Sequence, residues 1–213
     1  MKGPLISVFL LMIANKLALL AGLALAADET ELLSGGAVSF LVVILAAAAT
    51  FAIVRFSALR GTQAGLGALG WNFEHPASTL VLGLIGGVAA IAVTLGVVAA
   101  FGQFDLAGME QALTSYTWPQ RALHLSMGLL AAFGEETVFR GRLQTALRER
   151  IGLPGAIAVG AVIFSLYHLQ FRPISLVAKT GLGLLFGALR GRDRSLYASG
   201  IAHAMHWVFF GFY

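Results

Sequence analysis

The chain has 213 residues, of which 58% are hydrophobic and only 11% charged, against the roughly 25% charge of soluble globular domains. With a mean hydropathy of +0.85 and several near-continuous apolar runs, the composition excludes an ordinary soluble domain and the strand alternation of a membrane barrel, and indicates a polytopic helical membrane protein. The net charge of +4 is gathered in short loops, which marks membrane topology rather than nucleic-acid binding. The absence of cysteine excludes disulfides, thiolate metal ligands and a thiol nucleophile.

In chain order, the first apolar run covers 5–26. It is longer than the ~7–15 residues of a signal-peptide core and carries Asn15 and Lys16 at its middle, so a retained first helix is expected, with Lys16 snorkelling or paired internally. An acidic loop at 28–31 leads to a second span over 36–54, whose alanines at 46–49 permit close helix contact. Arg55, Arg60 and a Gly-rich connector over 61–70 follow, and Trp71 in the segment 71–76 reads as an interfacial aromatic anchor.

A third span covers 78–101, and the loop after it carries Asp105 and Glu110 but no cation. The fourth begins near Pro119, a favoured first-turn residue, and runs apolar into Glu135 and Glu136. Beyond Arg140 it becomes an amphipathic tail with Arg142, Arg148 and Arg150, suited to anionic lipid headgroups. Gly152 and Pro154 break the helix. The fifth span is 155–168; the sixth, 174–189, holds Lys179 and a face of Gly181, Gly183 and Gly187; a basic loop at 190–194 precedes the last span, 196–213, with His203 and His206.

This pattern predicts an all-α bundle of about seven transmembrane helices, with a three-helix part over 1–118 and a core over 119–213 that carries the chemistry, integrated as one domain. Alternating the spans puts the basic loops on one side and the acidic loops opposite, so the N-terminus is expected in the cytoplasm and the C-terminus outside.

An ionisable group within an apolar helix costs at least ~2.5–3.5 kcal/mol on insertion scales and marks a functional position by default. Glu135, Glu136 and Arg140 on the fourth span, His168 on the fifth and His203 and His206 on the seventh are such groups. Glu135 lies 17 residues before Gly152 and His168 lies 16 after it, so a hairpin turning at Gly152 brings them to nearly equal depth. Glu136 and Arg140 are i and i+4 and can pair on one face, while Glu135 points about 100° away, towards His168 and His203.

Two histidines and a carboxylate around a water suit hydrolysis by either of two routes. Glu135, His168 and His203 can supply three ligands to a divalent metal such as zinc, with Glu136 as base. Without metal, Glu135 and His168 can activate the water while His203 stabilises the oxyanion. His206, one turn beyond His203, is either an auxiliary ligand or a packing residue.

Glu135-Glu136-x-x-x-Arg140, then Phe164-x-x-x-His168, then His203 in the last span, resembles the three motifs of the CPBP intramembrane proteases, which include the CAAX prenyl endopeptidases and the bacteriocin-processing or self-immunity (Abi) proteins. The similarity covers about residues 122–207. It implies an intramembrane peptidase in which Glu135 and His168 activate a water, Glu136 and Arg140 support them, and His203 stabilises the oxyanion or binds metal. One departure stands out: four positions after the third-motif histidine the family usually has Asn or another small polar residue, and this chain has Trp207.

The expected protein is thus a multi-pass cell-membrane endopeptidase. It acts on a membrane-associated or hydrophobic peptide, CAAX-like or leader-like, with the lipid bilayer as its surroundings and no nucleic-acid partner. Two other readings stay open from the residues: an inactive immunity or interaction protein, and an ion-coupled transporter using Glu135, Glu136 and Lys179 as titrating groups.

Overall fold

The computed structural model describes residues 3–14, 45, 48–55, 65–115 and 118–210. The middle and end of the first expected span, Lys16, the acidic loop at 28–31, most of the second span, Arg60, the start of the Gly-rich connector and positions 211–213 lie outside the described residues. Within them the fold is all helical, with no strand. The helices are α1 (Gly3–Ala14), α2 (Pro76–Ala100), α3 (Leu106–Ser115), α4 (Trp118–Glu136), α5 (Gln144–Tyr167), α6 (Pro173–Asp193) and α7 (Leu196–Phe210); a further helical piece spans 48–55, and a single 3-10 turn spans Leu66–Leu69.

Among the described residues three stretches are long and apolar enough to cross a membrane: Pro76–Ala100, Gly128–Tyr167 and Pro173–Asp193. Pro76 and Pro173 open α2 and α6 in their first turns, where the missing N–H costs nothing. The loop expected after the third span differs from that reading, because it contains α3. The short helix begins where Asp105 Oδ1 accepts from Gly108 N at 3.0 Å.

The packing is that of helices in lipid. On α2 the small residues face inward: Gly83, Gly86 and Gly87 lie so close to Ile201, Leu189, Ala202 and Met205 that a Cβ would overlap them. The large residues Leu80, Val81, Leu84, Ile85 and Val88 face outward. With no hydrophobic drive between helices in hydrocarbon, such close backbone approach supplies the van der Waals contact that holds them. α7 is thereby seated against α2, α4 and α6, at the centre of the bundle.

α4 continues without interruption into a π-helical segment, Thr137–Leu143, and then into α5. The chain reverses within α5 at Gly152, whose φ of 71° and ψ of 173° belong to a region open essentially to glycine alone. The two arms fold back on each other, so that Phe139 meets Phe164 and Tyr167 edge-on at 5.1 and 5.2 Å. This is the hairpin the sequence spacing predicts. Val8, Leu11 and Ile53 from the N-terminal segments join Val138, Phe139, Leu143, Leu147 and Phe164 in one buried cluster.

Because Gly152 sets the turn that aligns the two arms, Gly152→Ala is expected to cost about 1–3 kcal/mol. Denaturant titration of the detergent-solubilised protein checks this; unchanged stability would contradict the role of the positive φ.

Candidate active site

The charged residues of the fourth span converge with the last helix inside the bundle. Glu135, Glu136, Arg140 and His203 are all at most 4% exposed. Arg140 Nη1 lies 3.3 Å from Glu136 Oε1, the i, i+4 pair read from the sequence. The guanidinium also donates from Nη2 to Gly183 O at 3.3 Å. That carbonyl is reachable because position 183 has no side chain: a Cβ there would meet the Ala161 backbone at 2.7 Å, so α6 lies directly against α5. One turn on, Gln144 Nε2 donates to Gly187 O at 3.0 Å.

Aromatic rings complete the surroundings of Arg140. Its Cζ is 4.4 Å from the centroid of Phe164, 5.4 Å from Phe186 and 5.7 Å from Phe139, within the range of cation–π attraction. Phe186 in turn stacks on His203 at 4.8 Å. Phe164, which the motif resemblance singles out, therefore braces the arginine.

His203 stands between the two carboxylates. Its Nδ1 donates to Glu136 Oε1 at 3.1 Å, since an ionised carboxylate only accepts, and its Nε2 faces Glu135 Oε2 at 3.8 Å. The latter separation is too long for a direct hydrogen bond. Glu135 Oε1 accepts from Tyr167 Oη at 3.3 Å, whereas Glu135 Oε2 is buried with no hydrogen-bond partner among the described residues.

His168 follows Tyr167 at the end of α5. Its Nδ1 donates to Phe164 O at 2.8 Å, which leaves Nε2 as the basic ring nitrogen, and its ring packs edge-on to Tyr167 at 4.9 Å. His206 is turned to another helix, with Nε2 2.8 Å from Thr94 Oγ1 of α2. Around Trp207 the helices lie close together: a Cβ at Gly128 would meet Trp207 Cβ at 2.8 Å, a contact that any side chain at 207 would make.

Tyr167 and Phe186 were not singled out from the sequence, because an aromatic in an apolar run carries no signal separating packing from chemistry. Trp71 also differs from its reading as an interfacial anchor. Its Nε1 donates to Thr137 Oγ1 at 2.8 Å, and its ring stacks on Phe133 at 5.3 Å and meets Tyr197 edge-on at 5.0 Å. It plugs the space between α4 and α7 next to Glu136.

The ligand set Glu135, His168 and His203 finds no support as a metal site. Among the described residues no three His, Asp or Glu side chains are placed to share an ion.

Comparison with known families covers the segment that carries these groups. Residues 117–209 match the family model described as type II CAAX prenyl endopeptidase Rce1-like. Over this segment, a little under half of its length, the chain is similar to that family. The match spans α4 to α7, every helix that contributes to the site, and with the three membrane-length stretches it supports an integral membrane protein of the CAAX-type intramembrane protease kind. Comparison with curated proteins and with solved structures yields no match.

Removing one member of a buried ion pair leaves the other uncompensated, at a cost of about 3–5 kcal/mol. Arg140→Met is therefore expected to lower stability by that order, and Glu136→Gln added to it should recover more than half of the loss. Chemical denaturation of the two variants in detergent checks this; an Arg140→Met protein as stable as wild type would show that the pair is not desolvated.

Proposed function

We propose that the chain is an intramembrane endopeptidase of CAAX type whose nucleophile is a water activated by Glu135. The observation that carries this reading is the 3.8 Å separation of Glu135 Oε2 and His203 Nε2, with the carboxylate oxygen otherwise unpartnered. Two polar atoms at that spacing can both bond to one bridging water, and each is held from its far side, Glu135 by Tyr167 and His203 by Glu136.

In the proposed reaction the water oxygen attacks the scissile carbonyl carbon as Glu135 takes its proton. A tetrahedral oxyanion forms, the C–N bond breaks, and the proton passes to the leaving amine. General-base help of this kind contributes ~10²–10⁴-fold. His168, with its basic Nε2, is the second water-activating group, as the motif resemblance implies. His203 stabilises the developing oxyanion when protonated, a role strengthened by the low dielectric of the site. Glu136 and Arg140 orient His203, and Tyr167 orients Glu135. The buried position of these groups between helices suits a membrane-associated or hydrophobic peptide, CAAX-like or leader-like.

The isosteric change Glu135→Gln is expected to reduce cleavage of a membrane-inserted peptide by at least ~10²-fold with unchanged thermal stability. Tyr167→Phe, which removes one neutral hydrogen bond, is expected to cost roughly 10-fold in kcat with KM nearly constant. Full activity in a folded Glu135→Gln protein would sink the mechanism.

A further inference from the structure

A second cluster of charge lies beside the site and shares only Arg140 with it. A cavity of about 390 Å³ is lined by Arg140, Gln144, Thr145 and Arg148 from the π-helical segment and the start of α5, Leu153 after the turn, and Arg190, Gly191 and Arg194 at the end of α6. Four arginines and no carboxylate line it. Arg140 is answered by Glu136. Arg190 is repelled by Arg148 and attracted by Asp193, which also accepts from Thr79 Oγ1 at 3.1 and 3.0 Å, and Arg190 Nε is buried without a hydrogen-bond partner. Like charges gathered in a partly enclosed space are unfavourable unless an anion sits among them.

We propose that this cavity binds the phosphate of an anionic lipid headgroup. Planar guanidinium forks suit a tetrahedral phosphate, which can accept from several at once. The lipid source follows from where the cavity sits. It opens where two membrane-length stretches end or reverse, at Gly152 and at Asp193, the level at which headgroups meet basic residues. Leu153 forms its apolar wall. Ile151 beside the turn, Val159 and Val162 along α5 and Leu184 on α6 are exposed, giving acyl chains an apolar surface leading away from the phosphate. The inference does not depend on the peptidase reading, since the arginines tested are not among the groups assigned to hydrolysis.

The test uses full-length protein in neutral detergent, supplemented with phosphatidylcholine, phosphatidylglycerol, glycerol 3-phosphate or a short peptide with a free C-terminal carboxylate. Phosphatidylglycerol at saturation is expected to raise the unfolding temperature by about 5–10 °C over phosphatidylcholine. The double variant Arg148→Gln/Arg194→Gln, at two exposed positions lining the cavity, should lose more than half of that rise and retain less phosphatidylglycerol in native mass spectrometry. Arg150→Gln/Arg192→Gln removes the same charge from exposed positions outside the cavity and should keep both. Equal losses in the two double variants would overturn the site in favour of diffuse surface attraction. An equal rise with glycerol 3-phosphate would overturn the lipid source, and a rise with the peptide but not with the lipid would overturn the phosphate.

Discussion

The structure depends on an ion pair that lipid and protein have stripped of water. Arg140 and Glu136 sit 3.3 Å apart at the centre of a bundle, and neither charge could remain there alone. Each surrounding feature answers part of that demand. Gly183 lends a carbonyl, Phe164 and Phe186 present ring faces to the guanidinium, and His203 donates to the carboxylate. The glycines of α2 and α6 are the means by which backbones come close enough for this to happen.

The same pair has a consequence for chemistry. By anchoring Nδ1 of His203, Glu136 fixes which nitrogen the ring turns to Glu135, and the two neighbouring carboxylates acquire different environments. One is committed to an arginine and a histidine. The other accepts from Tyr167 and turns its second oxygen to His203 Nε2 at 3.8 Å; each carboxylate keeps one Oε2 without a hydrogen-bond partner among the described residues. In the proposed mechanism adjacent acids become a positioning residue and a reacting one, by the same separation of environments that distinguishes paired carboxylates in other hydrolases. The segment similar to the Rce1-like family, 117–209, contains both carboxylates.

Much of this could be read from spacing. The i, i+4 relation of Glu136 and Arg140 required only helical geometry, and the hairpin followed from counting equal arms about Gly152, a turn the backbone confirms with its positive φ. What could not be read depends on tertiary contact. Tyr167 is one residue from His168 in an apolar run, and nothing local reveals that its hydroxyl reaches Glu135. Phe186 looks like any core aromatic until the ring of His203 is laid against it. Trp71 followed the statistics of interfacial tryptophans but was claimed by Thr137. The π-helical turn carries no composition signal, yet it follows directly on Glu136 and contains Arg140, a setting common for such turns at functional sites. Trp207 departs from the family pattern, and its close neighbour Gly128 lies on a different helix.

The central claim is that Glu135 and His203 act on one water rather than separately. A double-mutant cycle on kcat with Glu135→Gln, His203→Gln and the combined variant tests it most directly, because groups acting as a unit are strongly non-additive. The account predicts that the double variant loses little more than Glu135→Gln alone; two losses that multiply independently would contradict it.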